Sequence, residues 1–216
     1  MSGFFGYILT ALIAYAIGNL NFSIIFSKLF LNKDIRNYGS GNAGSTNTYR
    51  NFGPWMGTLV LIFDIAKGVG AVLLGKYVIC GGYNLPAAYL AGLFAAIGHI
   101  YPAIFKFKGG KGVATIAGMM FAIDWRMSLV GLVFFLAVLL ITGFMSLASL
   151  TMAVCSPILS FVFSFFIYRY ALIDALWVSF SGAVMGGIIV FTHRENIKRL
   201  YKGTESRIIK WRKKNG

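Results

Sequence analysis

Long apolar stretches alternate with short polar segments along most of the chain. The apolar stretches cover residues 4–31, 54–75, 85–105, 112–124, 127–144, 147–167 and 172–192. Runs of about 20 apolar residues are long enough to cross the hydrocarbon core of a bilayer as helices. The pattern therefore predicts an all-α, polytopic membrane helix bundle with seven transmembrane helices. The fourth stretch is short, so it either crosses with help from its neighbours or forms half of a longer, broken segment.

The composition agrees with a membrane protein. Of the 216 residues, 58% are hydrophobic and only 12% are charged, which is about half the charged share of soluble domains. So few charges are too few to cover the surface of a water-soluble domain this apolar. We expect one integral membrane domain over residues 1–216. The two cysteines, Cys80 and Cys155, lie in apolar surroundings and are interpreted as packing residues.

The charge is strongly unbalanced, with 20 Lys and Arg residues against 6 Asp and Glu residues. In a soluble domain this balance indicates nucleic acid, but in a membrane protein it follows the positive-inside rule, so no nucleic-acid partner is predicted. With seven crossings, sixteen of the 20 cations lie on the side that holds residues 32–53, 106–111 and 193–216. That side is predicted to be cytoplasmic, with the N-terminus outside; five crossings predict the same orientation.

The first polar segment runs from Gly39 to Arg50 and reads GSGNAGSTNTYR. Glycines let the backbone approach a ligand and expose N–H groups to an anion. The short Ser, Thr and Asn side chains add neutral donors, and arginine can donate two parallel hydrogen bonds to phosphate oxygens. The segment therefore suits an anion site, and a flexible surface loop is the alternative.

The second polar segment reads GHIYPAIFKFKGGKGVAT and begins at Gly98. Its glycines and lysines directly precede an apolar helix, and helix N-termini attract anions. It is not a Walker A loop, because Lys111 is followed by Gly112 and position 105 is Phe. A basic turn at the membrane surface is the alternative.

The third polar segment, HRENIKRL, begins at His193 and opens the basic tail over residues 193–216. As a helix it brings His193 and Asn196 to one face, and Glu195 is expected to form an ion pair there. The tail beyond Arg207 is interpreted as a lipid-headgroup anchor. Asp64 and Lys67, three residues apart inside the second span, form either a structural ion pair or part of a site.

These three segments, in this order, resemble the acyl-phosphate-dependent glycerol-3-phosphate acyltransferases, a bacterial membrane family, over nearly the whole chain. The resemblance implies transfer of a fatty acyl group from acyl phosphate to sn-glycerol 3-phosphate, giving 1-acylglycerol 3-phosphate (lysophosphatidic acid) and phosphate. It implies that the donor's own phosphate acts as the base, in the plasma membrane with the site on the cytoplasmic side. The basic tail after Arg207 is longer than the family needs.

The site residues follow from the motifs and the resemblance together. The expected catalytic residues are Ser40, Arg50, His193 and Asn196. The expected substrate-binding residues are Gly39, Gly41, Asn42, Thr46, Asn47, Lys67, His99, Lys108, Gly109, Gly110, Lys111 and Gly112. No cofactor and no metal are predicted, and acyl phosphate, glycerol 3-phosphate and membrane lipid are the expected partners. The oligomeric state stays open.

Two other classes share the basic glycine loops. A transporter for a small organophosphate is the first, although transporters place their binding groups near the bilayer midplane, often in repeated halves. Here the polar motifs collect at one predicted face and no repeat is evident. A non-catalytic membrane scaffold held to anionic lipid by its tail is the second.

Overall fold

The structure is a computed structural model that describes residues 3–80 and 84–209. Its helices are α1 (Phe4–Asn19), α2 (Phe22–Leu31), α3 (Ser45–Phe52), α4 (Pro54–Leu73), α5 (Leu85–Ile100), α6 (Val113–Ile123), α7 (Trp125–Thr142), α8 (Met145–Phe161), α9 (Leu172–Thr192) and α10 (Arg194–Tyr201). Turns of π-helix extend α4 to Ile79 and α8 to Ile167. Two short 3-10 turns cover Ile35–Asn37 and Ala103–Phe105. Every regular element within the described ranges is helical, as the apolar pattern predicts.

Six segments of the described chain are long and apolar enough to cross a membrane. They are Phe4–Leu31, Pro54–Ile79, Leu85–Phe105, Trp125–Thr142, Met145–Ile167 and Leu172–Thr192. The one predicted span not among these six is the fourth stretch, which corresponds to α6; its 11 residues reach about 16 Å at 1.5 Å per residue. That is about half of a hydrocarbon core. An extended residue, Asp124, separates α6 from α7, so residues 112–144 form a broken segment rather than one helix. The count of seven crossings therefore stays a prediction.

The chain divides into two compact units, residues 1–125 and 126–216. The expectation of one domain stays a prediction. In the first unit α4 contacts α1, α3, α5 and α6. Glycines allow close helix contact there, because a Cβ added at Gly68 would collide with the carbonyl of Thr115, and one at Gly118 with that of Ile65. Small residues of this kind let helix backbones approach in lipid.

In the second unit α8 lies along α9. Ser179 Oγ, in α9, donates over 2.9 Å to the carbonyl of Pro157, the proline inside α8. After α10 the chain turns back to the loop before α8, where Ile208 N donates to the carbonyl of Gly143 over 2.8 Å. The guanidinium of Arg207 lies 5.0 Å from the ring centre of Phe144. Most of the predicted lipid anchor, residues 210–216, lies outside the described residues.

Candidate functional site

Asn47 organises the first glycine loop. Its Nδ2 donates to the carbonyls of Tyr38 over 2.9 Å and Asn42 over 3.1 Å. Its Oδ1 accepts from Ser40 N over 3.1 Å and from Asn51 Nδ2 over 3.0 Å. The sequence predicts Asn47 as a donor to the substrate, whereas in the structure both ends of this buried amide hold the loop itself. These contacts favour a role in shaping the loop.

The backbone of the first loop turns at two glycines and ends at a helix N-terminus. Gly39 has φ 57° and Gly41 has φ 71°, a left-handed conformation that favours glycine. Gly44 then caps α3, whose first turn presents backbone N–H groups without intrahelical acceptors. Ser40 at the turn is exposed and Thr46 in the first turn is half-buried. This arrangement suits an anion.

The remaining predicted residues of this loop differ in exposure. Asn42 is half-buried, and Arg50 is exposed in the last turn of α3. The arginine therefore lies about one and a half helical turns beyond the N-terminal end of α3 that follows the glycines.

The second glycine loop is fixed by the end of α5. Gly109 N donates to the carbonyl of Ile100 and Gly110 N to that of His99, both over 3.1 Å. Gly112, with φ 84°, caps α6, so this loop too ends at a helix N-terminus. Lys108 is exposed and Lys111 is half-buried. The geometry matches the predicted anion site at the start of an apolar helix.

The two loops contact each other directly. Ala43 N, in the first loop, donates to the carbonyl of Gly109, in the second, over 3.4 Å. The carbonyl of Ala43 accepts from Asn21 Nδ2 over 3.1 Å. Asn21 is fully buried and lies between α1 and α2. The first unit therefore brings together two of the three polar segments that the sequence singles out.

A further contact with the second loop comes from Asp34 and Arg36, which precede the first loop in the chain. Arg36 Nη1 donates to the carbonyl of Phe105 over 2.9 Å, while its Nε and Nη2 donate to the carboxylate of Asp34 over 2.9 and 2.7 Å. These hydrogen bonds from Arg36 hold the pKa of Asp34 at about 2, against an ordinary 3.8. Asp34 thus fixes the guanidinium that reaches the second loop.

Asp64, Lys67 and His99 form a buried polar cluster beneath the loops. The Lys67 Nζ lies 2.9 Å from Asp64 Oδ1 and 2.7 Å from His99 Nδ1. It also donates to the carbonyls of Leu20 over 2.8 Å and Gly18 over 3.3 Å. The sequence predicts substrate contacts for Lys67 and His99, but Lys67 is only 5% exposed and its ammonium is surrounded by acceptors of the protein itself. Of the two possibilities for Asp64 and Lys67, the structure favours the ion pair.

In the second unit, Glu205 collects three donors around one carboxylate. Oε1 accepts from Asn196 Nδ2 over 2.7 Å and from Ser146 Oγ over 2.8 Å. Oε2 accepts from Arg199 Nε over 2.7 Å. Burial raises the pKa of Glu205, but the hydrogen bonds from Arg199, Asn196 and Ser146 outweigh it and leave the pKa lowered.

The predicted pair of the third segment is buried at the junction of α9 and α10. His193 and Asn196 are 3% and 5% exposed. Because a carbonyl only accepts, Nδ1 of His193 carries the hydrogen in its 2.8 Å contact with the carbonyl of Ile189, which makes neutral Nε2 an acceptor. The predicted ion pair of Glu195 is confirmed, with Lys198 as its partner over 3.1 Å.

Three residues of these networks are absent from the sequence prediction. Asn21, Arg36 and Glu205 each act through a partner far away in the chain or through a main-chain group. For Asn21 a signal exists, because an asparagine inside a long apolar run often marks a break. Glu205 is one of only 6 acidic residues, which also sets it apart within a basic tail. Within residues 3–80 and 84–209, no group of three or more His, Cys, Asp or Glu side chains suits a metal ion.

Fold and site together define a polytopic membrane protein whose glycine loops suit anionic ligands. The family model described as glycerol-3-phosphate acyltransferase matches residues 8–203. The glycerol-3-phosphate acyltransferase of Thermoanaerobacter sp. (strain X514) is 40% identical over 201 residues, 93% of this chain and 95% of that protein. The one from Clostridioides difficile (strain 630) is 40% identical over 206 residues, 94% of this chain and 96% of that protein.

Two solved structures of PlsY (YgiH), an integral membrane glycerol 3-phosphate acyltransferase, are also similar to this chain. The glycerol 3-phosphate form has a TM-score of 0.79 and 35% identity, covering 94% of this chain and 96% of that one. The lysophosphatidic acid form has a TM-score of 0.76 and 32% identity, covering 93% and 94%. This chain therefore belongs to the glycerol-3-phosphate acyltransferase family, in its integral membrane PlsY type. The resemblance carried by the three motifs is confirmed, and an enzyme is favoured over the transporter and the scaffold.

Proposed function

We propose that this acyltransferase takes its acyl group from acyl phosphate and transfers it to the 1-hydroxyl of sn-glycerol 3-phosphate. The hydroxyl oxygen attacks the acyl carbonyl carbon, the bond from that carbon to the phosphate oxygen breaks, and inorganic phosphate leaves. The proton of the hydroxyl passes to the departing phosphate, so no protein base is required. The products are 1-acylglycerol 3-phosphate and phosphate.

The observation that carries this proposal is the pair of touching glycine loops. Each loop ends at a helix N-terminus, capped by Gly44 or Gly112, and the two are joined from Ala43 N to the carbonyl of Gly109. A reaction between two phosphate-bearing substrates needs two anion sites side by side. Helix N-termini provide such sites without placing a full charge in a partly dry region.

The first loop is assigned to the acyl donor. Ser40, Asn42 and Thr46 offer short polar side chains around the turn, and Arg50 neutralises the departing phosphate. Asn47 supports this group by holding the loop in shape, as its hydrogen bonds to Tyr38, Asn42 and Ser40 indicate. Positioned donors of this kind stabilise developing negative charge, and one donor can contribute about 3 kcal/mol.

The second loop is assigned to glycerol 3-phosphate. Lys108, Lys111 and the backbone of the glycines at 109, 110 and 112 hold its phosphate. His193 and Asn196 orient the glycerol, since neutral Nε2 of His193 can accept from a hydroxyl. The 2.8 Å hydrogen bond from Nδ1 to the carbonyl of Ile189 supports that tautomer.

A paired assay tests the reaction. Purified protein in detergent receives palmitoyl phosphate and glycerol 3-phosphate, and phosphate release and the acylated product are measured together. We expect product only when both substrates are present, and an acyl thioester in place of palmitoyl phosphate should give none. Arg50→Ala should lower kcat/KM strongly, and Lys111→Ala should raise the KM for glycerol 3-phosphate. Equal activity with the thioester would reject the donor assignment.

We further infer that α6 crosses the membrane, giving seven spans with the C-terminus and the glycine loops in the cytoplasm. The support is the charge distribution. If α6 did not cross, the tail would face the side opposite the loops. Its nine cations from Arg194 to Lys214 would then join the sparsely charged side, against the positive-inside rule.

Cysteine labelling tests this topology. In a variant with Cys80 and Cys155 replaced, single cysteines at Lys33, Lys108 and Lys202 should be labelled only after the membrane is permeabilised. A cysteine at Arg169 should be labelled in intact cells. Labelling of position 202 in intact cells would reject the crossing of α6.

A further inference from the structure

A closed ring of hydrogen bonds runs through the first unit and includes both glycine loops. It starts at Lys67 Nζ, which donates to the carbonyl of Leu20 over 2.8 Å. The neighbouring Asn21 donates through Nδ2 to the carbonyl of Ala43 over 3.1 Å. Ala43 N donates to the carbonyl of Gly109 over 3.4 Å, which leads to the second loop.

His99 closes the ring. Its carbonyl accepts from Gly110 N over 3.1 Å, and its Nδ1 lies 2.7 Å from Lys67 Nζ. The other imidazole nitrogen, Nε2, lies against Gly110, as shown by the collision that a Cβ added at Gly110 would make with it. One imidazole therefore contacts the buried ammonium on one side and the second loop on the other.

This ring of hydrogen bonds explains why a lysine is present inside the membrane-spanning part. The first span is broken between Asn19 and Phe22, so carbonyls near the break lack intrahelical partners. Such groups must be satisfied by protein at membrane depth. The ammonium of Lys67 meets two of them, and Asp64 offsets its charge over 2.9 Å.

The contacts of Lys67 also fix the tautomer of His99. An ammonium only donates and has three hydrogens, which serve its three shortest contacts, to His99 Nδ1, the carbonyl of Leu20 and Asp64 Oδ1; the carbonyl of Gly18 at 3.3 Å shares one of them. Nδ1 of His99 therefore accepts, and the hydrogen of the neutral imidazole lies on Nε2. His193 is the opposite case, because its Nδ1 donates to a carbonyl. The two histidines of the chain therefore differ in tautomer.

We infer that Lys67 is a positioning residue. Through His99 and the break at Leu20 it holds the two glycine loops in the relative position that binds glycerol 3-phosphate. This inference rests on the proposed function of the second loop. Lys67 itself contacts protein groups rather than substrate. Its removal should therefore act on substrate affinity through the loop.

The first test is spectroscopic and needs no activity. Imidazole ¹⁵N NMR of wild-type protein in detergent should show one Nε2–H and one Nδ1–H histidine, with His193→Gln assigning the pair. In Lys67→Met the ammonium is gone and Asp64 Oδ1, 3.4 Å from Nδ1 of His99, can accept from it, so the hydrogen should move to Nδ1. A wild-type His99 with its hydrogen on Nδ1 would overturn the inference.

The second test separates KM from kcat. Misplacing a binding group by about 1 Å can cost about 100-fold, so Lys67→Met should raise the KM for glycerol 3-phosphate by about that factor, with kcat changed less than tenfold. The double variant Asp64→Asn/Lys67→Met removes both charges and covers the case in which the single variant misfolds. It should show the same rise.

Lys76→Met is the matched control. Lys76 lies in the same span and is also 5% exposed, but it donates to the carbonyl of Ala122, outside the ring. Its KM for glycerol 3-phosphate should stay at the wild-type value. An unchanged KM in the folded double variant would overturn the inference. If the wild-type enzyme shows no acyl transfer, the proposed function is rejected, and the tautomer test alone decides on the role of Lys67.

Discussion

Replacing Glu205 by glutamine tests how the second unit holds Asn196. The carboxylate accepts from Asn196 and Ser146 on one oxygen and from Arg199 on the other. Glutamine keeps the shape but turns one of the two oxygens into an NH₂ donor. Whichever way the amide turns, at least one of the present donors then faces another donor. The best orientation keeps Asn196 and Ser146 and loses the bond from Arg199.

The expected cost follows from that lost bond. A hydrogen bond to a charged group contributes about 1.5–3 kcal/mol, and the Glu205 side chain is only 4% exposed, so water does not replace the bond fully. We expect Glu205→Gln to destabilise the protein by about 2 kcal/mol. If the amide turns the other way, Asn196 loses its partner and kcat/KM falls by at least about tenfold, because a displaced binding group is costly.

The assay combines thermal unfolding in detergent with steady-state kinetics, and Glu195→Gln is the control. Glu195 is an exposed acid in α10 whose ion pair with Lys198 is solvated, so its loss should change neither quantity measurably. The pKa of Glu205 is lowered from its ordinary 4.5. The stability advantage of the wild type over Glu205→Gln is therefore full above pH 4.5 and shrinks as the pH falls through the lower folded pKa. Equal unfolding temperatures and equal kcat/KM for wild type and Glu205→Gln at pH 7 would refute the reasoning.

Three further predictions concern the first unit and the chemistry. Gly110→Ala should raise the KM for glycerol 3-phosphate at least tenfold, because its Cβ would collide with His99 and displace the loop; steady-state kinetics with a folded variant measures this. Asp34→Asn should lower the unfolding temperature at pH 7, and the gap should close as the pH falls from 3.8 towards about 2, the folded pKa of Asp34. A stability gap that is undiminished at pH 2 would contradict the role of that pKa. A chelator should leave acyl transfer unchanged in a direct rate measurement, and a rate restored by added metal would refute this.

The sequence predicts the positions of the apolar segments well, but it misses the break in the first one. The predicted stretch 172–192 coincides with α9, and the predicted stretch 85–105 coincides with the observed apolar segment Leu85–Phe105. Hydropathy over about 20 residues is a strong signal. The break between α1 and α2 is absent from the prediction, since two asparagines hardly change the average of a 28-residue segment. What stabilises the break is Lys67, 47 residues further along the chain. A pairing at that distance has no local signature.

The site shows the same division. The glycine loops and the basic residues are recognisable because their chemistry is local: glycine permits the turns, and an adjoining helix supplies the N–H groups. The assignment of Lys67 and Asn47 to substrate stays a prediction, and in the structure both side chains hydrogen-bond to protein groups. Polar type alone does not distinguish a side chain that binds a ligand from one that supports the loop which does. Only the hydrogen-bond partners of Lys67 Nζ and of the Asn47 amide make that distinction.

A loop that binds anions beside a lipid phase needs support that a water-exposed loop does not. Its backbone leaves helical geometry, so each carbonyl or N–H not turned to the substrate requires a partner within the protein. In the first unit those partners are Asn21 and the end of α5, while Lys67 satisfies the carbonyls at the break in the first span. A long flexible lysine suits this task, because one ammonium can reach carbonyls at the end of α1, a carboxylate on its own helix and an imidazole on a third. The glycine loops at the surface therefore depend on polar residues inside the spans. Replacing those polar residues should weaken substrate binding before it abolishes the fold.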